Sequence, residues 1–166
     1  MALLKTLIFT ILVPGTVTIL IPRWLFLAAG SQPTGALRFV GLIPITIGAA
    51  IYVWCAWDFA IKGLGTPAPI DPPKKLVARG LYQFVRNPMY VGVLSILIGE
   101  AAFFAFPTLL GYAAAVFLLF YLFVMFYEEP SLKKQFGDAY QNYCTAVPRW
   151  IPRFSRFFSS QAGRLE

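Results

Sequence analysis

The chain has 166 residues, 58% of them hydrophobic and only 13% charged, against roughly 25% charged in soluble domains. A single soluble domain of this length cannot hide so much apolar surface, so lipid must solvate part of it. There is no histidine, which removes the commonest general base and metal ligand, and two distant cysteines, Cys55 and Cys144, supply neither a zinc site nor a disulfide framework.

In chain order, residues 6–22 carry no charge and predict a first span over residues 3–21, kinked at Pro14-Gly15. A second reading of this stretch is a signal peptide, with Leu27-Ala28-Ala29-Gly30 as its small-residue cleavage site. The second span is predicted over residues 37–57 and closes on Trp54 and Trp57 at interfacial depth. Residues 63–73 then contain four prolines and two glycines, a composition that excludes a continuous helix or a central strand and reads as a stiff extended loop. A basic and aromatic segment, residues 74–86, follows along the membrane surface.

Asn87-Pro88 starts the third span, since proline in the first helical turn loses no hydrogen bond. Between Arg86 and Glu128 the one charge is Glu100. As a helix this stretch would reach about 60 Å, twice a hydrocarbon core of roughly 30 Å. It must turn back, and Pro107 is the place, so the third span ends near Phe106 and the fourth covers 108–127. Gly111 and residues 113–115 offer small side chains for close helix packing. Glu128-Glu129-Pro130 is expected to end the lipid-buried part. Beyond it Leu132, Phe136, Tyr140 and Tyr143 share one apolar face, the pattern of an interfacial helix, and the tail 147–153 is aromatic and basic.

These elements define an all-α fold: a polytopic membrane helical bundle of about four transmembrane helices, with interfacial helices at the cytoplasmic face, in one domain over residues 1–166. With four spans and the N-terminus inside, every Lys and Arg except Arg23 and Arg38 falls on inside segments. That is the positive-inside pattern, and it assigns the net charge of +7 to an anionic leaflet rather than to nucleic acid. The expected location is an integral membrane, the bacterial inner membrane, with both termini cytoplasmic; the lipid bilayer is the expected partner, and no obligate protein partner is evident.

The inner ends of spans three and four carry Arg86, Asn87, Tyr90, Glu128 and Glu129. A tight hairpin at Pro107 brings these ends together. Two carboxylates and tyrosines without metal ligands suit a cationic organic ligand. Glu100 lies some 15 Å into the third span, a costly depth for a carboxyl. One reading is a protonated group hydrogen-bonded to Thr108 or a tyrosine; the other is a contact to the polar part of a lipid-like substrate.

Gly80-x-Tyr82-x-x-Val85-Arg86-Asn87-Pro88-x-Tyr90-x-Gly92, Glu128-Glu129-x-x-Leu132, Phe136-Gly137-x-x-Tyr140-x-x-Tyr143 and Val147-Pro148-Arg149 together resemble the isoprenylcysteine carboxyl methyltransferase family, whose relatives are membrane phospholipid methyltransferases. The resemblance covers about residues 63–153. It implies transfer of a methyl group from S-adenosylmethionine to a lipid-like or membrane-anchored small substrate at the cytoplasmic face. By motif position, Lys74, Lys75, Leu76 and Val77 line the cofactor's entrance, Tyr82, Asn87, Pro88, Met89 and Tyr90 hold it, and Glu128 anchors one of its polar groups. The proline loop and residues 140–148 close over it. The resemblance departs at two positions: the family usually has histidine where Asn87 stands, and its eukaryotic enzymes have a substrate-binding arginine where Val124 stands. Arg149 or Arg153 is the candidate replacement for that cation. If the acceptor is an amine, Glu129 or a tyrosine is the group placed to take its proton, which makes Glu129 and Arg149 the candidate catalytic residues.

Two other readings remain open from sequence. Sterol-reductase-type membrane enzymes share a similar Arg-x-Pro-x-Tyr-x-Gly pattern and use NADPH, whose phosphates Lys74, Lys75 and Arg79 could hold. A non-catalytic membrane scaffold would use the same motif residues for packing alone.

Overall fold

The structure, a computed structural model, describes residues 2–29, 35–61, 76 and 78–153. The proline-rich loop and Lys74, Lys75 and Val77 lie outside the described residues, as does the chain beyond Arg153. Among the described residues all regular structure is helical.

The first helix begins as α1 (Ala2–Leu12), widens into a π turn at Thr16–Leu20 and continues as α2 (Ile21–Ala28). Pro14 has no N–H to give to the preceding turn, and the chain absorbs the loss by widening rather than breaking. The Thr18 hydroxyl donates to the Pro14 carbonyl at 2.8 Å, and the Tyr112 phenol donates to the Val17 carbonyl at 3.0 Å. The expected kink is therefore a π turn, and the apolar stretch runs from Leu7 to Ala28, past the predicted end at residue 21. Arg23 within it is exposed, and a long side chain can carry its charge away from lipid.

A 3-10 turn, Ala36–Gly41, leads into α3 (Leu42–Ile61); its apolar stretch, Arg38–Asp58, agrees with the predicted second span. Next comes α4 (Pro88–Phe103), opening on Pro88 as expected and closing before residue 106. The reversal to α5 (Thr108–Phe123) is tight. Ala105 adopts a φ of 49°, its N–H donates to the Ala102 carbonyl at 3.2 Å, and the Phe106 N–H donates to Ala101 at 3.0 Å. This is the paired hydrogen bonding of a Schellman C-cap, with alanine where glycine is the usual residue.

Glu128-Glu129-Pro130 does not end the last long helix. A π turn, Val124–Glu128, passes directly into α6 (Glu129–Phe136), and Pro130 sits in its first turn, where a missing N–H costs least. The continuous helix accordingly runs over Thr108–Phe136, although its part beyond Glu128 is polar, with Glu129, Lys133 and Lys134. The predicted interfacial helix is also two elements, because Gly137, at φ 54°, separates α6 from α7 (Asp138–Ala146). Its apolar face nevertheless assembles: Leu132 and Phe136 pack against the buried cluster of Tyr140, Tyr143 and Val147, together with Leu76 and Ala78. Among the described residues, three helical stretches are long and apolar enough to cross a membrane, and α4 is a shorter apolar helix beside them. The protein is an integral membrane helical bundle.

Its tightest seam joins α4 to α3 and the turn that leads into it. A Cβ on Gly92 would lie 2.8 Å from the Gly48 carbonyl oxygen, and one on Gly99 would lie 2.6 Å from that of Gly41. Only glycine lets the two backbones approach so closely. Gly111, expected to serve close packing, has open space around it; in α5 it is Ala113 and Val116 that enter the core with Tyr52, Val93 and Leu97.

Candidate functional site

Residues 78–87, which lead into α4, form a cap over one end of the bundle. Gly80, at φ 57°, starts a 3-10 turn, Gly80–Gln83; a Cβ there would lie 3.0 Å from Oδ2 of the buried Asp58. Glycine lets this turn sit on the end of α3. The cap is stitched to the chain that follows α7. The Tyr143 phenol donates to the Tyr82 carbonyl at 2.6 Å. The Arg86 N–H donates to the Pro148 carbonyl at 2.9 Å, and the Arg153 N–H to Phe84 at 3.0 Å. Asn87 opens α4 without capping it; its Nδ2 donates to the Arg149 carbonyl at 3.1 Å.

Beneath the cap is a cavity of about 510 Å³, within the range of roughly 300–1,000 Å³ for small-ligand sites. Its polar end is made by Tyr82, Arg86, Asn87, Tyr90 and Glu128; its apolar wall comes from the first helix, Phe9 to Val17, and from Leu119, Phe120 and Phe123 of α5. Leu119 is 64% exposed on the outer surface, so this wall adjoins the lipid side. Tyr90 donates its phenol to Glu128 Oε2 at 2.9 Å and packs on Phe120, with ring centroids 4.6 Å apart. A carboxylate accepts up to about four hydrogen bonds, so Glu128 keeps acceptor capacity for a ligand. Burial pushes the Tyr82 phenol well above its ordinary range, and it stays a neutral hydroxyl.

Glu129 has different partners. Arg149 grips it with Nε at 2.6 Å and Nη2 at 2.8 Å, and Arg86 Nη1 reaches it at 3.0 Å. Arg86 also donates to Cys144 Sγ at 2.8 Å. The hydrogen bond from Arg149 to Glu129 holds the guanidinium above even its usual range. Trp150 lies on the outer side of Tyr90, 6.3 Å between ring centroids, and 5.3 Å from Phe117.

Of the residues singled out from the sequence, Tyr82, Asn87, Met89, Tyr90 and Glu128 converge on the cavity. Pro88 is buried at the start of α4, while Leu76 packs on the Tyr140 cluster. Glu129 and Arg149, the candidate catalytic pair, do not line the cavity; each neutralises the other beside it. Glu100 lies in the last turn of α4, at the opposite end from Asn87. Its Oε2 is buried without a hydrogen-bond partner, and Tyr112, the nearby phenol, donates to Val17 instead. The residues missed were the apolar wall: Phe9, Val13, Pro14 and Val17, with Tyr52. A usable signal was present in Pro14-Gly15, a helix-disturbing pair inside the first span, and in the phenol of Tyr52 inside the second.

A helical membrane protein with a carboxylate–phenol pocket beneath a cap is thus the class that fold and site define. The phospholipid methyltransferase family model matches residues 37–139, most of the chain, and the protein belongs to that family. It is 36% identical over 78 residues to protein-S-isoprenylcysteine O-methyltransferase B of Arabidopsis thaliana. That alignment covers 47% of this chain and 40% of the plant protein, so the chain spans well under half of the relative's length. No solved structure matches. The family match favours neither the reductase nor the scaffold reading.

Proposed function

We propose that the protein is an S-adenosylmethionine-dependent methyltransferase that methylates a lipid-like or membrane-anchored small substrate at the cytoplasmic face. The observation that carries this reading is the cavity's two-sided character: a carboxylate and phenols at one end, a hydrocarbon wall next to lipid at the other. The donor set fits the cofactor. Glu128 is held by Tyr90 in an aromatic surround, which suits an ammonium or sulfonium cation. When bound, the cofactor supplies a methyl carbon on positively charged sulfur.

The chain's own residues then have separable tasks. Glu128 and Tyr90 bind positive charge. Tyr82, Asn87 and Met89 shape the pocket, and the cap of residues 78–87 excludes water from above it. The wall of Phe9, Val13 and Leu119 receives the substrate's hydrocarbon from the bilayer. Methyl transfer needs alignment of acceptor, methyl carbon and leaving sulfur, so a rigid cap over an apolar wall suits it.

Calorimetric titration of purified protein with S-adenosylmethionine should show saturable heat, abolished in Glu128→Ala and Tyr90→Ala. Absence of heat from folded wild-type protein rejects the reading. Membranes incubated with methyl-labelled cofactor should then yield label in an extractable lipid or lipid-anchored species.

A further inference from the structure

Glu128 and Glu129 are neighbours in sequence with opposite surroundings. Glu128 faces the cavity and accepts from Tyr90; Glu129 lies off the cavity, between Arg86 and Arg149. Among the described residues that line the cavity, Arg86 is the one cation and Glu128 the one carboxylate. A guanidinium sharing a poorly hydrated cavity with a carboxylate pairs with it, because few waters compete. Such a pair would cancel the charge that a cationic cofactor requires.

Arg86 is instead drawn away. Its Nη1 is bound to Glu129 Oε1 at 3.0 Å and to Cys144 Sγ at 2.8 Å, with the side chain only 13% exposed. Its Nε is buried with no acceptor. The arginine therefore holds an unspent donor in a side chain that lines the same cavity as Glu128, and Glu129 supplies the hydrogen-bonded charge that keeps its Nη1 turned aside.

We propose that Glu129 is a positioning residue that sequesters Arg86, leaving Glu128 free to receive the cofactor's positive charge. The inference rests on the reading of Glu128 as the cofactor's anionic partner. It explains why two adjacent carboxylates serve the site when one touches the ligand. It also separates Glu129 from Arg149, which secures the tail but shields no cavity charge.

The test is a double-variant cycle, read by calorimetric titration of S-adenosylmethionine into the full chain, with thermal unfolding measured on each sample. E129Q should weaken binding by about tenfold or more, the scale of a charged hydrogen bond. With R86Q added, the double variant should bind at least about threefold more tightly than E129Q alone, because no cation remains to be held off. R86Q alone, the check should E129Q not fold, should still bind with saturable heat. R149Q, which releases the tail but leaves Arg86 on Glu129, should bind more tightly than E129Q. The proposal is overturned if E129Q binds like wild type, if the double variant is no better than E129Q, or if R86Q alone loses binding. Wild-type protein without heat would sink the methyltransferase reading instead, a result distinct from all of these.

Discussion

The α3–α4 seam and the first helix bound the same cavity, yet they are built on different principles. At the seam, Gly41, Gly48, Gly92 and Gly99 bring backbone against backbone, and any added side-chain atom must displace main chain. The first helix is held by isolated devices: the Tyr52 phenol donating to Thr10 at 3.0 Å, the Tyr112 phenol on Val17, and Phe26 against Phe104 at 4.7 Å between ring centroids. Much of its apolar surface faces outward, with Ile11 and Leu12 both above 60% exposed. A rigid pair fixes where α4 begins, and so where Asn87 and Tyr90 stand. On the proposed reading, a lightly fastened wall is the one that lipid could part without unfolding the site.

The largest effect should come from breaking the rigid side. Gly92→Leu or Gly48→Leu is expected to cost at least about 3 kcal/mol and to abolish folded yield, since main chain cannot move aside as a rotamer would. The matched control is Gly111→Leu, where a Cβ meets nothing; its change in detergent melting should stay within about 0.5 kcal/mol. Equal losses at Gly92 and Gly111 would erase the distinction. Next in size is Tyr90→Phe, which removes the hydroxyl on Glu128 and should weaken S-adenosylmethionine binding by roughly tenfold without lowering thermal stability much. On the loose side, Tyr112→Phe should cost only about 1 kcal/mol, read by thermal unfolding. The smallest change has the opposite sign: Ala105→Gly relieves a left-handed φ and should stabilise the hairpin by up to about 1 kcal/mol.

The spans and the hairpin were legible because charge is expensive in lipid, so its absence over long runs is a direct signal. Pro88 and Pro107 marked where that hairpin begins and where it turns, for an equally local reason, the missing N–H. The glycine seam was not legible: Gly48 and Gly92 are scattered through apolar sequence, and pairing them requires knowing which faces meet. The continuation of α5 through Pro130 was missed because a π turn shifts the hydrogen-bonding register ahead of the proline, and no residue type announces that shift. At the site, Tyr90 and Glu128 stood out as polar groups at span ends. Their division from Glu129 and Arg149 depended on side-chain direction around the π turn, which spacing alone does not supply.

One consequence follows from the length of α4. Its 16 residues rise only about 24 Å, short of a typical hydrocarbon slab. The shortfall falls on a helix that opens at Asn87 and is locked to α3 by glycine, so tilting it independently is not an option. Most of α4 is buried or half-buried among longer neighbours, with Ile98 and Ala102 exposed, so protein as well as lipid meets the shortfall. On the proposed reading, bilayer thickness bears on activity: a thin membrane would meet the cavity at headgroup depth, whereas a thick one would hold it farther from an acceptor's polar end.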